Sequence, residues 1–228
     1  MARQLREGVW LLELGWMRPL ATRAYLVDDG EVTLIDAGMI RNATPVGEEL
    51  AAAGYDPADV DRVLVTHYDL DHTGGLSRLV PELDAPVYIG EADARLVAGD
   101  WSPPVNHKGF FHRAARRLFP LPESLPVRHV GEGDGIGGFR AYHTPGHNPG
   151  HTVYVHEDGV ALLGDLVWEE DGELTPPIWF DSYDVDQIHE SIRSFARRVA
   201  PFDLAAVAHG DPILSGGYDA LRRLADRL

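Results

Sequence analysis

Four apolar segments of the sequence each lead to a side chain that can bind a metal ion. They are RVLVT before His67, FRAYHTPG up to His147, VALLG before Asp165 and LAAVA before His209. Strand ends in layered sheets lie along a common edge, where the loops that follow them can converge. This pattern limits the fold to one that stacks the strands in sheets and gathers their ends at one place.

The other segments predict strands and helices in both halves of the chain. RAYLVDDGEVTLIDAG is typical of a hairpin that turns at Asp29 and Gly30, and DVDQIHESIRSFARRVA of an amphipathic helix. Two β-rich halves, each covered by helices, predict an α+β fold with layers of helix, sheet, sheet and helix. A length of 228 residues suits a single domain over residues 1–228.

The stretch THYDLDHTGG concentrates metal-binding side chains. Together with the other strand ends it supplies seven candidate ligands: His67, Asp69, Asp71, His72, His147, Asp165 and His209. Seven ligands exceed the needs of one tetrahedral zinc ion, but they suit two metal ions about 3.5–4 Å apart that share a carboxylate and a water. The sequence has no cysteine, which excludes thiolate ligands and disulfides.

Four motifs, THYDLDHTGG, HTPGHNPGHT, LLGD and AHGDP, resemble in content and order those of the metallo-β-lactamase superfamily of hydrolases. The resemblance implies a four-layer αβ/βα sandwich of two mixed sheets with the site at one edge. It also implies that one metal ion is bound by His67, Asp69 and His147 and the other by Asp71, His72 and His209, with Asp165 bridging them. Asp71 and Asp165 are then the candidate catalytic residues.

Asp69 departs from the usual His-x-His-x-Asp-His motif of this superfamily, which has histidine at that position. Two divalent ions, three aspartates and a bridging hydroxide sum to zero charge, whereas a histidine at position 69 would leave +1. A less positive cluster favours harder metals, so iron and manganese are alternatives to zinc. The flavodiiron branch is similar in placing a carboxylate there, but this chain leaves no room for the flavodoxin-like domain of that branch.

The ligand set predicts a dinuclear metal-dependent hydrolase in which a metal-bridging hydroxide attacks the substrate. Esters, lactones and thioesters are the predicted substrates. Trp168 stands where quorum-quenching lactonases typically carry a tyrosine, three residues after the bridging aspartate, and the sequence after that aspartate differs from glyoxalase II. Two alternatives stay open: a di-iron redox protein or oxygenase of the same fold, and a phosphodiesterase or β-lactamase-like activity.

The charge of the chain bears on its partners. A net charge of −16 disfavours nucleic acid and anionic membranes, so we expect a small-molecule substrate, no nucleic acid and no membrane. Residues 101–122 reverse this charge locally, since they contain no acid but carry several basic and aromatic side chains. This segment is either a basic aromatic insert that caps the site or a surface contact, for example in a homodimer. The N-terminus lacks a signal-peptide core, which predicts a cytoplasmic protein.

A few further residues are candidates for supporting roles. Asp36 is a candidate to orient a ligand histidine. His151 is a candidate to contact a metal ligand without binding the metal itself. Trp168 and Trp179 are candidate pocket walls, and Trp101 is a candidate packing residue. We expect these side chains to act around the metal site and not as ligands.

Overall fold

The computed structural model describes residues 1–15, 22–42, 44–100, 102 and 106–228. Trp101 and part of the segment 101–122 therefore lie outside the described residues. The described strands are β1 Arg3–Arg6, β2 Val9–Glu13, β3 Arg23–Asp28, β4 Val32–Ile35, β5 Arg62–Val65, β6 Val87–Gly90, β7 Val127–Val130, β8 Gly135–Ile136, β9 Phe139–His143, β10 Thr152–His156, β11 Val160–Gly164, β12 Trp168–Glu170, β13 Glu173–Thr175 and β14 Leu204–Val207.

Two mixed sheets contain most of these strands. The first has the order β1-β2-β3-β4-β5-β6-β7, antiparallel from β1 to β4 and parallel from β4 to β7. The second has the order β14-β11-β10-β9-β8, and β11 runs parallel to β14 while the other neighbours are antiparallel. The hairpin predicted at Asp29 and Gly30 joins β3 to β4. A separate pair, β12 and β13, follows Asp165.

Most of the helices lie on the outer faces of the sheets. Their bounds are α1 Val46–Ala53, α2 Leu70–Thr73, α3 Leu76–Leu79, α4 Glu91–Ala98, α5 His107–Leu118, α6 Val185–Arg198 and α7 Gly217–Arg227, with 3₁₀ turns at Pro57–Asp59 and Trp179–Asp181. In α6 the residues Ile188, Ile192 and Phe195 are buried, as its amphipathic pattern predicts. None of the helices in the described ranges is long and apolar enough to span a membrane.

Three apolar clusters account for the layers. One lies between the sheets and joins side chains such as Leu11 and Leu64 of the first to Tyr154 and Leu162 of the second. A second cluster packs the outer face of the first sheet against α1, α3 and α4, and a third packs the second sheet against α6 and α7. The predicted α+β sandwich of helix, sheet, sheet and helix is therefore confirmed.

Helix α5 exposes much of its apolar side. Phe110, Ala114 and Leu118 are spaced by four residues and form one stripe along the helix. In the structure Phe110 and Leu118 are 72% and 67% exposed, whereas Lys108 and His112 are buried. The helix is held instead by polar contacts of its other face, which lead to the candidate site.

Candidate metal centre

The strand ends converge as the sequence predicts. His67 follows β5 by two residues, Asp165 directly follows β11, and His209 follows β14 by two residues. His147 lies in the loop between β9 and β10. The short helix α2 begins after Asp69 and carries the remaining two of the seven predicted ligands, Asp71 and His72. All seven side chains meet at one edge of the sandwich.

Three of them form a first group of donor atoms. His147 Nε2 is 3.2 Å from His67 Nε2 and 3.3 Å from Asp69 Oδ2, and His67 Nε2 is 3.5 Å from Asp69 Oδ2. Ligands of a tetrahedral ion with bonds of about 2.0–2.2 Å are roughly 3.3–3.6 Å apart. The spacing of this group therefore fits one metal ion.

A second group of donor atoms lies beside the first. Asp71 Oδ2 is 3.7 Å from His72 Nε2 and 3.5 Å from His209 Nε2. Asp165 faces both groups: Oδ1 is 3.3 Å from His72 Nε2, while Oδ2 is 3.3 Å from His209 Nε2 and 3.7 Å from His147 Nε2. One carboxylate is thus shared between two sets of ligand atoms, which is the arrangement expected of a bridging residue.

Two buried atoms of the second group face each other without a well-formed hydrogen bond. These atoms are His72 Nε2 and Asp165 Oδ1, and both are fully shielded from solvent. Buried polar atoms are nearly always satisfied, so an unsatisfied pair at a ligand cluster is typical of a metal position. The residues present therefore fit a metal ion here as well.

The ring of His72 is oriented from behind. His72 Nδ1 lies 2.8 Å from Asp36 Oδ2, which leaves Nε2 directed at the site. Asp36 also accepts hydrogen bonds from the backbone N–H and the hydroxyl of Thr66, and it adopts a positive φ of 60°. Strained backbone of this kind persists where its surroundings fix it. The predicted orienting role of Asp36 matches these contacts.

Asp165 is supported by two neighbours. His151 Nε2 accepts a hydrogen bond of 3.1 Å from the backbone N–H of Asp165, in line with the supporting role predicted for it. Trp168 Nε1 donates to Asp165 Oδ2 at 3.1 Å, and its ring lies 4.8 Å from that of His209. Trp168 thus borders the site, whereas Trp179 is largely exposed.

Helix α5 brings two further side chains to Asp69. Lys108 Nζ is 2.9 Å from Asp69 Oδ2, and His112 Nε2 is 2.5 Å from Asp69 Oδ1. Asn148 Nδ2 donates to the same Oδ1 at 3.0 Å. The sequence motifs placed Lys108 only in a basic segment and did not single out His112. Their spacing of four residues in an acid-free helix was the available signal, since it puts both on one face.

Charges around Asp69 set the ionisation of the first group. Burial alone would raise the pKa of Asp69, but the charges of Lys108, His112 and His67 hold it well below its ordinary value. Burial and then the charge of Lys108 lower the pKa of His147 to about 3. This direction favours the neutral form of His147, in which a ring nitrogen can bind a metal ion.

The second group has the opposite pattern in the metal-free protein. Burial opposes the charged form of His72 and His209, yet neighbouring carboxylates raise the pKa of His72 well above its ordinary value and that of His209 to about 10. Burial would raise the pKa of Asp71, but the two histidines lower it to about 2. The carboxylates and histidines of this group thus favour each other's charged forms.

Asp181 is a carboxylate at the site that none of the sequence motifs contains. One of its oxygens groups with His147 and Asp165 as a set of atoms able to hold an ion. Burial raises its pKa to about 6, as do the charges of Asp69, Asp165 and Asp71, while the charge of Lys108 opposes the rise. It follows the exposed pair Trp179 and Phe180 and so joins the site to the aromatic surface outside it.

The geometry can be set beside known proteins. The sequence profile of the metallo-beta-lactamase superfamily matches residues 17–211, which is most of the chain. The chain belongs to this superfamily. Within it, a probable metallo-hydrolase of Bacillus subtilis, YybB, is 30% identical over 220 residues that cover 93% of this chain and 92% of that protein.

Two further members give a solved structure and a named activity. The crystal structure of the metallo-beta-lactamase family protein TTHA1429 from Thermus thermophilus matches 98% of this chain and 80% of that one, with a TM-score of 0.70 and 25% identity. A hydroxyacylglutathione hydrolase of Xanthomonas campestris is 27% identical over 167 residues, covering 70% of this chain and 52% of that protein. The superfamily membership and the prediction of a metal-dependent hydrolase are confirmed by these comparisons.

Proposed function

We propose that this chain is a dinuclear metal-dependent hydrolase that cleaves an ester, lactone or thioester of a small molecule. The observation that supports it most is the pair of donor groups sharing Asp165, with spacings that suit metal ligands. One ion would be held by His67, Asp69 and His147. The other would be held by Asp71, His72 and His209, and Asp165 would bind both ions. Zinc, iron and manganese all accept this mixture of imidazole and carboxylate ligands.

The protein's own residues would prepare the reaction. When bound, two divalent ions would supply an activated water and polarise the substrate oxygen. Asp71 is more exposed than Asp165 and accepts a hydrogen bond from Thr22 Oγ1 at 3.2 Å. It would orient that water. Trp168 and His151 hold Asp165 from its side chain and its backbone. Asp36 fixes the ring of His72, which a ligand histidine needs for tight metal binding.

The surface beside the site favours an acyl substrate. Trp179 and Phe180 are exposed in the turn that leads to Asp181, whose backbone carbonyl accepts a hydrogen bond from Lys108. Apolar side chains at the mouth of a site suit the apolar part of an ester or thioester better than a polyanionic phosphodiester, which the net charge of −16 also repels. The related hydroxyacylglutathione hydrolase is named for an acyl thioester, which agrees with this class.

The segment 101–122 enters the proposal as a cap. Helix α5 contributes Lys108 and His112 to the site on one face and leaves aromatic side chains on the other. His107 stacks with Phe180 at a ring distance of 5.4 Å, which ties the cap to the turn that carries Asp181. The homodimer contact considered for this segment stays a prediction.

A di-iron redox protein of the same fold is the second candidate, favoured by the carboxylate at position 69. The two proposals differ in a simple observation. A di-iron protein purified without added metal would have a visible absorption band and weak hydrolytic activity. A hydrolase would turn over its substrates without a redox partner.

A substrate panel tests the proposed reaction. We expect the metal-loaded protein to hydrolyse carboxylic esters, lactones or thioesters, and to act at least about tenfold more slowly on phosphodiesters and β-lactams, by kcat/KM. The control is the variant His209→Ala, which removes one ligand of the second group and should lose activity toward every substrate. Preferential cleavage of a phosphodiester, or equal activity of the variant, would overturn the proposal.

A further inference from the structure

Lys108 is a buried cation whose contacts are all at the candidate site. Its side chain is 2% exposed, and its Nζ lies 2.9 Å from Asp69 Oδ2 and 2.8 Å from His147 Nε2. The same ammonium group donates to the backbone carbonyl of Asp181 at 2.7 Å. Three acceptors thus receive the three N–H bonds that a lysine can offer.

Two of these acceptors are the atoms that would bind the first metal ion. His147 Nε2 lies 2.8 Å from Lys108 Nζ and faces the other donor atoms of the first group. Asp69 Oδ2, the other candidate ligand atom, lies 2.9 Å from the same ammonium group. A metal ion bound to these two atoms requires Lys108 to withdraw, because one lone pair of a histidine cannot serve both.

Among the described residues, the second group has no comparable lysine or arginine. The ion pairs of Asp71 and Asp165 there are formed with histidines alone. Since these histidines are themselves the candidate ligands, a metal ion entering this group meets no described cationic side chain that must withdraw. The two groups therefore differ in what must leave before an ion can bind.

The position of Lys108 in its helix has no local explanation. It is the second residue of α5, whose N-terminus is capped by the side chain of Asn106. A positive charge in the first turn opposes the helix dipole, and burying a lysine side chain costs rotamer freedom. The contacts with Asp69 and His147 are what offset these costs.

We propose that the ammonium group of Lys108 is the resident cation of the first metal group, and that a metal ion enters this group only by displacing it. The inference rests on the proposed two-metal site. It makes Lys108 a positioning residue that holds Asp69 and His147 in place before metal arrives. It also sets an order of loading, in which the group of Asp71, His72 and His209 fills first.

Metal titration of the apoprotein tests this order. Wild-type protein should bind one equivalent of Mn²⁺ or Zn²⁺ tightly and a second one more weakly, as measured by calorimetry with elemental analysis after gel filtration. Lys108→Met removes the competing charge and keeps a flexible side chain of similar length. It should tighten the second equivalent by about ten- to hundredfold, the range expected for hydrogen bonds to charged groups. The matched control is Arg117→Met, which removes an exposed charge of the same helix and should leave both affinities unchanged.

Two other variants locate the tight equivalent without altering Lys108. His209→Ala should lose it, whereas His147→Ala should keep it and lose the weak one. Equal affinities in the wild type, or loss of the tight equivalent in His147→Ala alone, would refute the order of loading. An unchanged second equivalent in folded Lys108→Met would refute the role of Lys108.

The same experiment separates this inference from the two-metal proposal. Wild-type protein that holds one ion at saturating metal, together with Lys108→Met that holds two, would overturn the dinuclear proposal and leave the role of Lys108 standing. Two ions of equal affinity in both proteins would overturn the role of Lys108 and leave the dinuclear proposal standing. A single ion in both proteins would contradict both.

Discussion

Replacing Asp69 with alanine should lower the free energy of unfolding of the metal-free protein by about 3–5 kcal/mol. The physical reason is that the buried ammonium of Lys108 would lose its nearest carboxylate, at 2.9 Å, and would be left with the partly exposed Asp181 carboxylate at 3.7 Å. An unpaired buried charge costs far more than the net contribution of the pair. Urea unfolding of the apoprotein, followed by circular dichroism, measures the change.

A double-mutant cycle supplies the control. Lys108→Met alone should cost less than Asp69→Ala, because Asp69 keeps its contacts with His112 and Asn148. The double variant should recover much of the stability lost in Asp69→Ala, which gives a coupling energy between the two side chains. Additive effects of the two changes, or a stable Asp69→Ala protein, would contradict the account of this ion pair.

Replacing Asp165 with asparagine should reduce kcat/KM by about 10³-fold or more, since several kcal/mol of transition-state stabilisation depend on the metal pair that this carboxylate would join. The fold should survive, because His151 binds the backbone N–H of residue 165 and not its side chain. Steady-state kinetics with the best substrate of the panel, together with metal content per chain, measure the effect.

The control for this variant is an exposed carboxylate. Asp226 lies on the solvent face of α7, and Asp226→Asn removes the same charge far from the strand ends. It should leave kinetics and metal content unchanged. Retention of two metal ions and most of the activity by Asp165→Asn would show that Asp165 does not bridge the groups.

The contact with Lys108 also changes the expected charge of the centre. Two ions, three aspartates and a hydroxide alone sum to zero charge. Lys108 lies against Asp69 and adds one positive charge to that sum, if it remains near after metal binding. The pair of Asp69 and Lys108 is then neutral, like the histidine that usually stands at this position. The preference for iron or manganese over zinc therefore depends on where Lys108 goes.

The sequence predicted that the seven candidate side chains lie close together because the cause is local. They follow apolar strands directly or within a few residues, and the strand ends of the sandwich converge at one edge. Asp36 could be assigned in the same way, since it follows β4 directly and lies next to the end of β5. The fold and the meeting of the seven side chains were thus available from the order of strands.

The role of α5 could not be read from periodicity. Its apolar residues form a stripe whose direction the spacing does not set, whereas the buried carboxylate of Asp69 requires partners, and Lys108 and His112 provide them. Electrostatics of a distant loop therefore decided which face of the helix is buried. A helix pattern contains no information about such a partner elsewhere in the chain.

Metal removal tests most directly whether the protein is a metal-dependent hydrolase. Protein purified without added metal or chelator is analysed for metal content, stripped with a chelator, and assayed for hydrolysis before and after metal is returned. We expect up to two ions per chain, loss of hydrolysis on stripping, and recovery when divalent metal is added back. Full hydrolytic activity in protein that contains no metal would contradict it.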